Sequence, residues 1–291
     1  LSLNFLIFSF LRFFLEFQIG NIFSKRNVLV CFGGYVSLVG LAHFSGPIYI
    51  QEQNSIPGST NRLLARYKKT DKIFCGFPKT QDFFEEKKAI FSGNLINLDA
   101  QKVEKKKPCS GELDIKIMGG SLGARLINKT APKVFSQLSQ DFPDFKFILS
   151  HQCGKGNLEE TKSYYDSCKK NFDLKLFEFV ESMESFYSNA DLIISRAGAL
   201  SVSEICETQN IAIFIPLKNS IDNHQHENAK FLAEKNSAFI CEEDLLEENL
   251  KKILFEIVKN PEILEKMKKN ISRISLTDKK NIIVKKILSN E

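Results

Sequence analysis

The segment DLIISRAGALSVSE, residues 191–204, places a run of small residues between a short apolar stretch and a single carboxylate. The apolar stretch ends at Ser195, and the short side chains from Ala197 to Ser201 allow a ligand to approach the backbone. Glu204 follows one helical turn later, where its two oxygens can accept hydrogen bonds from two neighbouring hydroxyls, as on a ribose. Alone, the segment is equally consistent with a tight strand–helix corner whose glutamate interacts with the helix dipole.

A second segment, GGSLGAR at residues 119–125, follows a strand pattern and precedes a helical one. Gly119 and Gly120 lack the Cβ that would keep an anion from the backbone, and the N–H groups of a helix start can bind a phosphate. A dinucleotide-binding dehydrogenase would also need an acid at the end of the next strand, but that strand ends at Ser150 and His151. No Walker lysine motif is present, so nicotinamide enzymes and P-loop NTPases are disfavoured.

A third segment, DNHQHENA at residues 222–229, places His224 and Gln225 at the beginning of a helix, where they could hold sugar hydroxyls. All three segments follow strands in the same half of the chain. Ligands of open α/β sheets bind beyond the carboxyl ends of the strands. We therefore interpret the three segments together as a nucleotide-sugar site.

Strand and helix patterns alternate along the chain, which predicts parallel sheets with helices on both faces. The first half includes the strands NVLVC (27–31) and GPIYI, the latter ending at Ile50. Segment 97–112 is charged, aperiodic and interrupted by proline and glycine, so it is predicted to be a linker. We predict two facing Rossmann-like domains of residues 1–108 and 109–276, with a C-terminal helix over 277–291 that can pack back on the first.

The composition excludes several classes of protein. The chain has 291 residues, of which 43% are hydrophobic and 26% charged, as in ordinary globular proteins. Its net charge of +5 comes from scattered lysines, with no basic patch interleaved with aromatics, so nucleic acid is not an expected partner. Seven cysteines in no metal-binding spacing predict reduced cytosolic thiols and no metal site.

The opening stretch LSLNFLIFSFLRFFLEF contains six phenylalanines. Arg12 and Glu16 interrupt it, which argues against a transmembrane span, and it lacks the features of a signal peptide. It is predicted to be an amphipathic helix that either packs in a core or contributes to a membrane-facing patch.

Six segments, GGYVS, EQNSIPGSTNRLLAR, GGSLGARLIN, HQCGKG, SRAGALSVSE and IPLKNSIDNHQHENA, together resemble the MurG family, in order from about residue 27 to about residue 243. The resemblance implies a GT-B fold and an inverting transfer of N-acetylglucosamine (GlcNAc) from UDP-GlcNAc to lipid I, the undecaprenyl-pyrophosphoryl-MurNAc-pentapeptide, giving lipid II. It implies a peripheral enzyme at the cytoplasmic face of the bacterial inner membrane, with the membrane surface and other cell-wall enzymes as further partners. No cofactor and no metal are implied, because GT-B enzymes need no DxD motif.

The resemblance also implies roles for individual residues. On the donor side, the diphosphate would face Gly119, Gly120 and Ser121, and uracil would meet the backbone of Val180. The nucleotide would lie along Ala199, Leu200 and Ser201. Glu204 would bind the ribose, and His224 and Gln225 would hold GlcNAc. On the acceptor side, the matching residues are Gly34, Tyr35, Gln51, Asn54 and Asn61, with Glu52 as a candidate base.

Three departures from the family leave alternatives open. The family's opening GGTGGH-like loop has no counterpart here and the first residue is Leu1, so the N-terminal domain is predicted to be incomplete. Gln51 stands where the family has a histidine, and Asn97 where it has an arginine; neither side chain is a base or a cation. Two alternatives therefore stay open. One is a truncated or non-catalytic homologue that binds UDP-sugar without turnover, and the other is another GT-B protein such as a nucleotide-sugar epimerase.

Overall fold

The computed structural model describes residues 28–41, 44, 46–106, 111–168, 171–274 and 279–288. The helix predicted for the opening stretch lies outside these ranges. Within them, the strands form two sheets, and every neighbouring pair of strands is parallel. The predicted α/β architecture with two parallel sheets is confirmed.

The first domain is built around a four-stranded sheet. Its strands are β1 (Leu29–Cys31), β2 (Ile48–Glu52), β3 (Thr70–Cys75) and β4 (Ala89–Phe91), and they lie in this order across the sheet. Its helices are α1 (Tyr35–Leu41) and α2 (Ser59–Ala65), and a 3-10 helix, Pro78–Phe83, joins β3 to β4.

The end of β2 differs from the prediction. This strand extends two residues beyond Ile50, because Gln51 and Glu52 pair with Phe74 and Cys75 of β3. Both polar side chains are buried, so backbone pairing and side-chain hydrogen bonds outweigh the polarity that made the strand look shorter.

The second domain is built around a six-stranded sheet. Its strands are β5 (Glu112–Met118), β6 (Lys146–Gln152), β7 (Asp173–Phe177), β8 (Leu192–Ser195), β9 (Ala212–Phe214) and β10 (Ala238–Ile240). Its helices are α3 (Arg125–Asp141), α4 (Leu158–Asp166), α5 (Met183–Tyr187), α6 (Ala199–Glu207), α7 (His224–Ala233), α8 (Leu246–Lys259) and α9 (Glu262–Ile271). The strand order is β10-β9-β8-β5-β6-β7, which is the doubly wound order of Rossmann folds.

Helix α10 (Lys279–Leu288) returns the end of the chain to the first domain. Its Ile283 and Ile287 pack with Tyr49 of β2 and Phe74 of β3, whose rings stack with centroids 6.1 Å apart. One face of the first sheet is therefore covered by the last described helix.

His151, near the end of β6, is fully buried and uncharged. Its Nδ1 lies 2.9 Å from the Tyr165 hydroxyl and its Nε2 lies 3.1 Å from Asn128 Oδ1, while Asn128 Nδ2 donates to the Cys153 carbonyl at 2.8 Å. Since Asn128 Oδ1 can only accept, Nε2 carries the hydrogen and Nδ1 accepts from Tyr165. Desolvation lowers the pKa of His151 from 6.5 to about 3, so this histidine is a structural link between β6 and α3.

We expect acidification from pH 7 to pH 4 to destabilise the wild-type protein more steeply than a His151→Gln variant. Because burial lowers the pKa of His151 from 6.5 to about 3, the unfolded chain binds a proton below pH 6.5 that the folded chain does not. The free energy of unfolding thus decreases as the pH falls, by at most about 1.4 kcal/mol per pH unit from this group. Urea unfolding at several pH values measures this slope. Ser150→Ala, a neighbouring substitution without a titrating group, should keep the wild-type slope, and equal slopes for wild type and His151→Gln would contradict the prediction.

Candidate functional site

A cleft of about 520 Å³ opens beyond the carboxyl ends of β5 and β8. These strands pair directly, with Met118 opposite Ser195, although two other strands separate them in sequence. The strand order of the sheet reverses at this point, which is where doubly wound folds bind their ligands. The cleft is lined by the loop after β5, the start of α3, the loop after β8, the start of α6 and residues from the β9–α7 region.

The glycines of the loop after β5 allow backbones to pack against each other. A Cβ on Gly119 would overlap Ala124, and a Cβ on Gly123 would overlap the Cys153 carbonyl in the loop after β6. Gly154 has a φ of +89°, and a Cβ there would overlap the backbone of Gly123. The two loops therefore interlock through main-chain contacts, which fixes the direction of the backbone N–H groups that border the cleft.

Polar side chains tie the loops after β5, β6 and β7 together. Gln152 Nε2 donates to the Gly120 carbonyl at 3.0 Å and to the Glu178 carbonyl at 2.8 Å. The Glu178 carboxylate in turn accepts from the Gly156 N–H at 2.6 Å. These contacts set the path of the loop that contains Val180. The sequence offered one signal for Gln152, namely a polar residue at the carboxyl end of a buried strand.

Helix α6 begins at the cleft, and Glu204 lies one turn inside it. Gly198 is its N-cap, and no side chain of the described residues caps its first N–H groups, which leaves them available to an anion. The Tyr187 hydroxyl donates to Glu204 Oε2 at 3.0 Å. Burial raises the pKa of Glu204 above 4.5, the Tyr187 hydrogen bond opposes this rise, and the charge of Glu184 adds to it. Sequence reasoning missed Tyr187, which comes from α5.

Arg196 and Glu243 brace the loop between β9 and α7. Arg196 Nη1 lies 2.6 Å from Glu243 Oε1 and donates to the Ile215 carbonyl at 3.1 Å. The other oxygen of Glu243 accepts from the Lys218 N–H at 3.0 Å. Gln225 Oε1 accepts from the Leu217 N–H at 3.1 Å, so this side chain also supports the loop.

The structure brings half of the predicted donor residues into the cleft. The residues that line it are Gly119, Gly120, Ser121, Ser201 and Gln225. The others lie on the flanking elements: Val180 is half-buried after β7, Ala199 and Leu200 begin α6, Glu204 follows on α6, and His224 begins α7. Arg125 and Arg196 also line the cleft and were missed. Each is a cation beside small residues, Arg125 at a helix start and Arg196 directly after a strand, which is a signal that the sequence contained.

The predicted acceptor-side residues lie at or beyond the carboxyl ends of β1 and β2. Gly34 has a φ of +74° and Tyr35, the first residue of α1, is 73% exposed. Gln51 is buried and its Nε2 approaches the Gly93 carbonyl at 3.4 Å. Asn61 on α2 donates to Glu52 Oε2 at 2.8 Å. Asn97, the residue found where the family has an arginine, is exposed.

The Glu52 carboxylate organises the loop of residues 53–58. Its Oε1 accepts from the Asn54 N–H at 2.9 Å, and its Oε2 accepts from the Gly58 N–H at 3.1 Å as well as from Asn61. The side chain is 3% exposed. Both oxygens are thus engaged in shaping the loop, and the role of Glu52 as a base stays a prediction.

Metal clusters and membrane-spanning helices are both absent from the described ranges. Across these residues, no group of three or more His, Cys, Asp or Glu side chains could hold a metal ion. No described helix is both long and apolar enough to span a membrane.

Comparison with known proteins assigns the class. Residues 115–285 match the glycosyltransferase family 28 C-terminal domain, which together with the cleft defines a glycosyltransferase. The UDP-N-acetylglucosamine–N-acetylmuramyl-(pentapeptide) pyrophosphoryl-undecaprenol N-acetylglucosamine transferase of Acinetobacter baumannii is 34% identical over 254 residues, which cover 84% of this chain and 67% of the relative. The crystal structure of Acinetobacter baumannii MurG superposes with a TM-score of 0.74 at 30% identity, covering 99% of this chain and 81% of that one. The chain belongs to the MurG family.

A third comparison concerns the fold alone. The UDP-GlcNAc 2-epimerase of Neisseria meningitidis, crystallised with UDP-GlcNAc, gives a TM-score of 0.59 at 12% identity, covering 90% of this chain and 76% of the epimerase. The two proteins share the arrangement of domains, and the GT-B-like fold predicted from the sequence is confirmed by the match to MurG.

We expect a Tyr187→Phe substitution to raise the pKa of Glu204 further. The Tyr187 hydroxyl stabilises the ionised carboxylate through a 3.0 Å hydrogen bond, and its removal leaves burial unopposed. Titration of the carboxyl carbon by NMR measures the change. Tyr164→Phe is the matched control, because that hydroxyl donates to Glu160 on the exposed face of α4. One titration midpoint shared by all three proteins would contradict the assigned hydrogen bond.

Proposed function

We propose that this chain is an inverting glycosyltransferase that moves GlcNAc from UDP-GlcNAc to lipid I, forming lipid II in peptidoglycan synthesis. The observation that carries the proposal is the cleft between β5 and β8, where a glycine loop meets a helix start and a half-buried carboxylate, Glu204, lies one turn inside that helix. The activity for which the Acinetobacter baumannii relative is named supports the same reaction.

The donor is proposed to bind in this cleft. Backbone N–H groups of the loop from Gly119 to Ser121 and of the α6 start would face the diphosphate, with Arg125 adding positive charge. The charge of Arg196 is balanced by Glu243. Glu204 would accept hydrogen bonds from the ribose hydroxyls. The remaining proposed contacts are uracil at Val180, the nucleotide along Ala199, Leu200 and Ser201, and GlcNAc at His224 and Gln225.

The proposed reaction is a single displacement. A hydroxyl of the acceptor attacks the anomeric carbon of GlcNAc, the bond from that carbon to the UDP oxygen breaks, and the configuration inverts. The α6 N-terminus and the loop N–H groups stabilise the negative charge that develops on the departing UDP. A base takes the proton of the attacking hydroxyl. Glu52 is the candidate in this chain, although its three hydrogen bonds favour a positioning role.

A UDP-sugar-binding protein without turnover is the second candidate function. Gln51, whose amide cannot take a proton near neutral pH, occupies the place of the family's histidine, and the neighbouring Glu52 is engaged by three donors. The epimerase alternative is less supported, because identity is 12% with the epimerase and 30% with MurG.

We further propose that the protein binds the cytoplasmic face of the bacterial inner membrane, where it could meet other cell-wall enzymes. The first domain exposes three apolar side chains, which are Leu63 on α2, Tyr67 just after that helix, and Phe83. The Arg62 guanidinium of α2 lies over the Phe83 ring, 5.3 Å from its centroid. The exposed cations of the same segment are Arg62, Arg66, Lys68 and Lys69. Apolar side chains surrounded by cations are suited to an anionic lipid surface.

We expect a Glu204→Ala substitution to weaken UDP binding by about 100-fold, the loss expected for hydrogen bonds to a charged group. Isothermal titration calorimetry with UDP measures the affinity. Glu207→Ala, about one helical turn further along α6, should bind UDP like wild type. With 2′-deoxy-UDP, the wild-type protein should lose affinity while Glu204→Ala should not discriminate. Equal UDP affinity in wild type and Glu204→Ala would overturn the proposed donor site.

Turnover separates the two candidate functions. The purified chain is incubated with UDP-GlcNAc and a lipid I analogue, and UDP release and the β-linked product are measured together. Product formation supports the transferase. UDP binding without product supports the second candidate.

We expect Leu63→Glu to lower binding to phosphatidylglycerol vesicles by about tenfold. The substitution removes apolar area that would be buried in the lipid, and it adds a negative charge that the anionic lipid repels. Co-sedimentation with vesicles measures the bound fraction. Leu245→Glu, at a 71% exposed position in the second domain, is the control and should bind like wild type. Unchanged binding of Leu63→Glu would remove this surface from the proposal.

A further inference from the structure

Asn228, on α7, uses both amide hydrogens and its oxygen, and two of its three hydrogen bonds cross to the first domain. Its Oδ1 accepts from the Ser55 N–H at 2.8 Å. Its Nδ2 donates to Asn54 Oδ1 at 3.1 Å and to the Ala197 carbonyl at 3.2 Å. The side chain is fully buried. Only an amide of this length donates twice and accepts once here, and an aspartate could not donate at all.

A second asparagine makes a parallel connection. Asn94, which follows β4 and is buried, donates through Nδ2 to the Gln53 carbonyl at 2.9 Å and to Ser203 Oγ at 2.9 Å. Ser203 Oγ donates in turn to the Ala199 carbonyl at 2.9 Å. The path therefore runs from the first domain into α6.

Both connections join the same two places. On the first-domain side they hold three consecutive residues of the loop shaped by Glu52, residues 53–55. On the second-domain side they end at Ala197 and Ala199, which flank Gly198, the N-cap of α6. Aromatic contact of Phe77 with Phe231, at 5.4 Å between ring centroids, packs α7 against the first domain nearby.

We infer that Asn228 is a positioning residue that holds the loop of residues 53–55 on the N-terminus of α6, with Asn94 and Ser203 as its second support. This inference rests on the proposed function, in which α6 binds the donor and the loop borders the acceptor. The two substrates would then meet at a separation set by two buried amides. Loss of Asn228 should leave the donor cleft intact while the loop loses its fixed place.

The first test measures amide exchange in the ligand-free protein by mass spectrometry. Asn228→Ala should speed exchange in residues 53–58 by about tenfold or more, because the Ser55 N–H loses its acceptor, while β6 peptides exchange as in wild type. Asn270→Ala is the control, since that amide bonds the Asn236 carbonyl within the second domain. Wild-type exchange of the loop in Asn228→Ala would overturn the inference, and so would global loss of protection without a local effect.

The second test separates positioning from general stability by kinetics. Asn228→Ala should bind UDP within about twofold of wild type, whereas kcat should fall and the acceptor KM rise, with kcat/KM for the acceptor about 10- to 100-fold lower. A parallel loss of UDP affinity would overturn the inference. Ser203→Ala, which leaves Asn228 in place, should lower kcat/KM for the acceptor by a smaller factor. This variant replaces Asn228→Ala in the test if Asn228→Ala does not fold.

The two proposals fail in different ways. If wild-type protein does not bind UDP, the proposed function fails, and the ligand-free exchange of residues 53–58 still decides whether Asn228 holds the loop. If UDP binds but loop exchange is the same in Asn228→Ala and wild type, the donor site stands and the positioning role fails.

Discussion

The direct pairing of β5 with β8 is the constraint on which the site depends. It places Met118 opposite Ser195, so the glycine loop that follows one strand and the helix α6 that follows the other begin about one strand spacing apart. A register shift of one residue would turn the side chains of either strand to the opposite face. Because β5 alternates buried apolar residues with half-buried charged ones and β8 is buried along its whole length, such a shift is strongly disfavoured.

Glu204 illustrates a conflict between stability and binding. Its carboxylate is partly desolvated, so its ionised form is less favourable in the folded protein than in the unfolded chain. Since the folded pKa lies above the unfolded value, this cost is present at neutral pH and is relieved as the pH falls toward 4.5. Tyr187 offsets part of it. Groups held at such a cost are typical of functional sites, and hydroxyl donors from a ligand would satisfy the remaining oxygen.

The sequence predicted what local patterns determine and missed what distant contacts determine. Alternating strands and helices, the glycine loop and the position of Glu204 follow from short segments, and they gave the fold correctly. Tyr187 and Asn228 could not be predicted, because their roles come from contacts with Glu204, 17 residues away, and with Ser55, 173 residues away. The end of β2 was misjudged because Gln51 and Glu52 are polar, yet both lie in the buried strand.

Residue type alone is a poor guide to reactivity in this fold. His151 and Glu52 look like acid–base groups, but each is buried and its polar atoms are engaged by neighbours. In contrast, the side-chain oxygens of Gln51, Asn61 and Asn94 are buried without a hydrogen-bond partner among the described residues. Leaving such an acceptor unmet costs about 1–3 kcal/mol. All three lie in the first domain, so the proposed acceptor side retains hydrogen-bonding capacity that its own described side chains do not use.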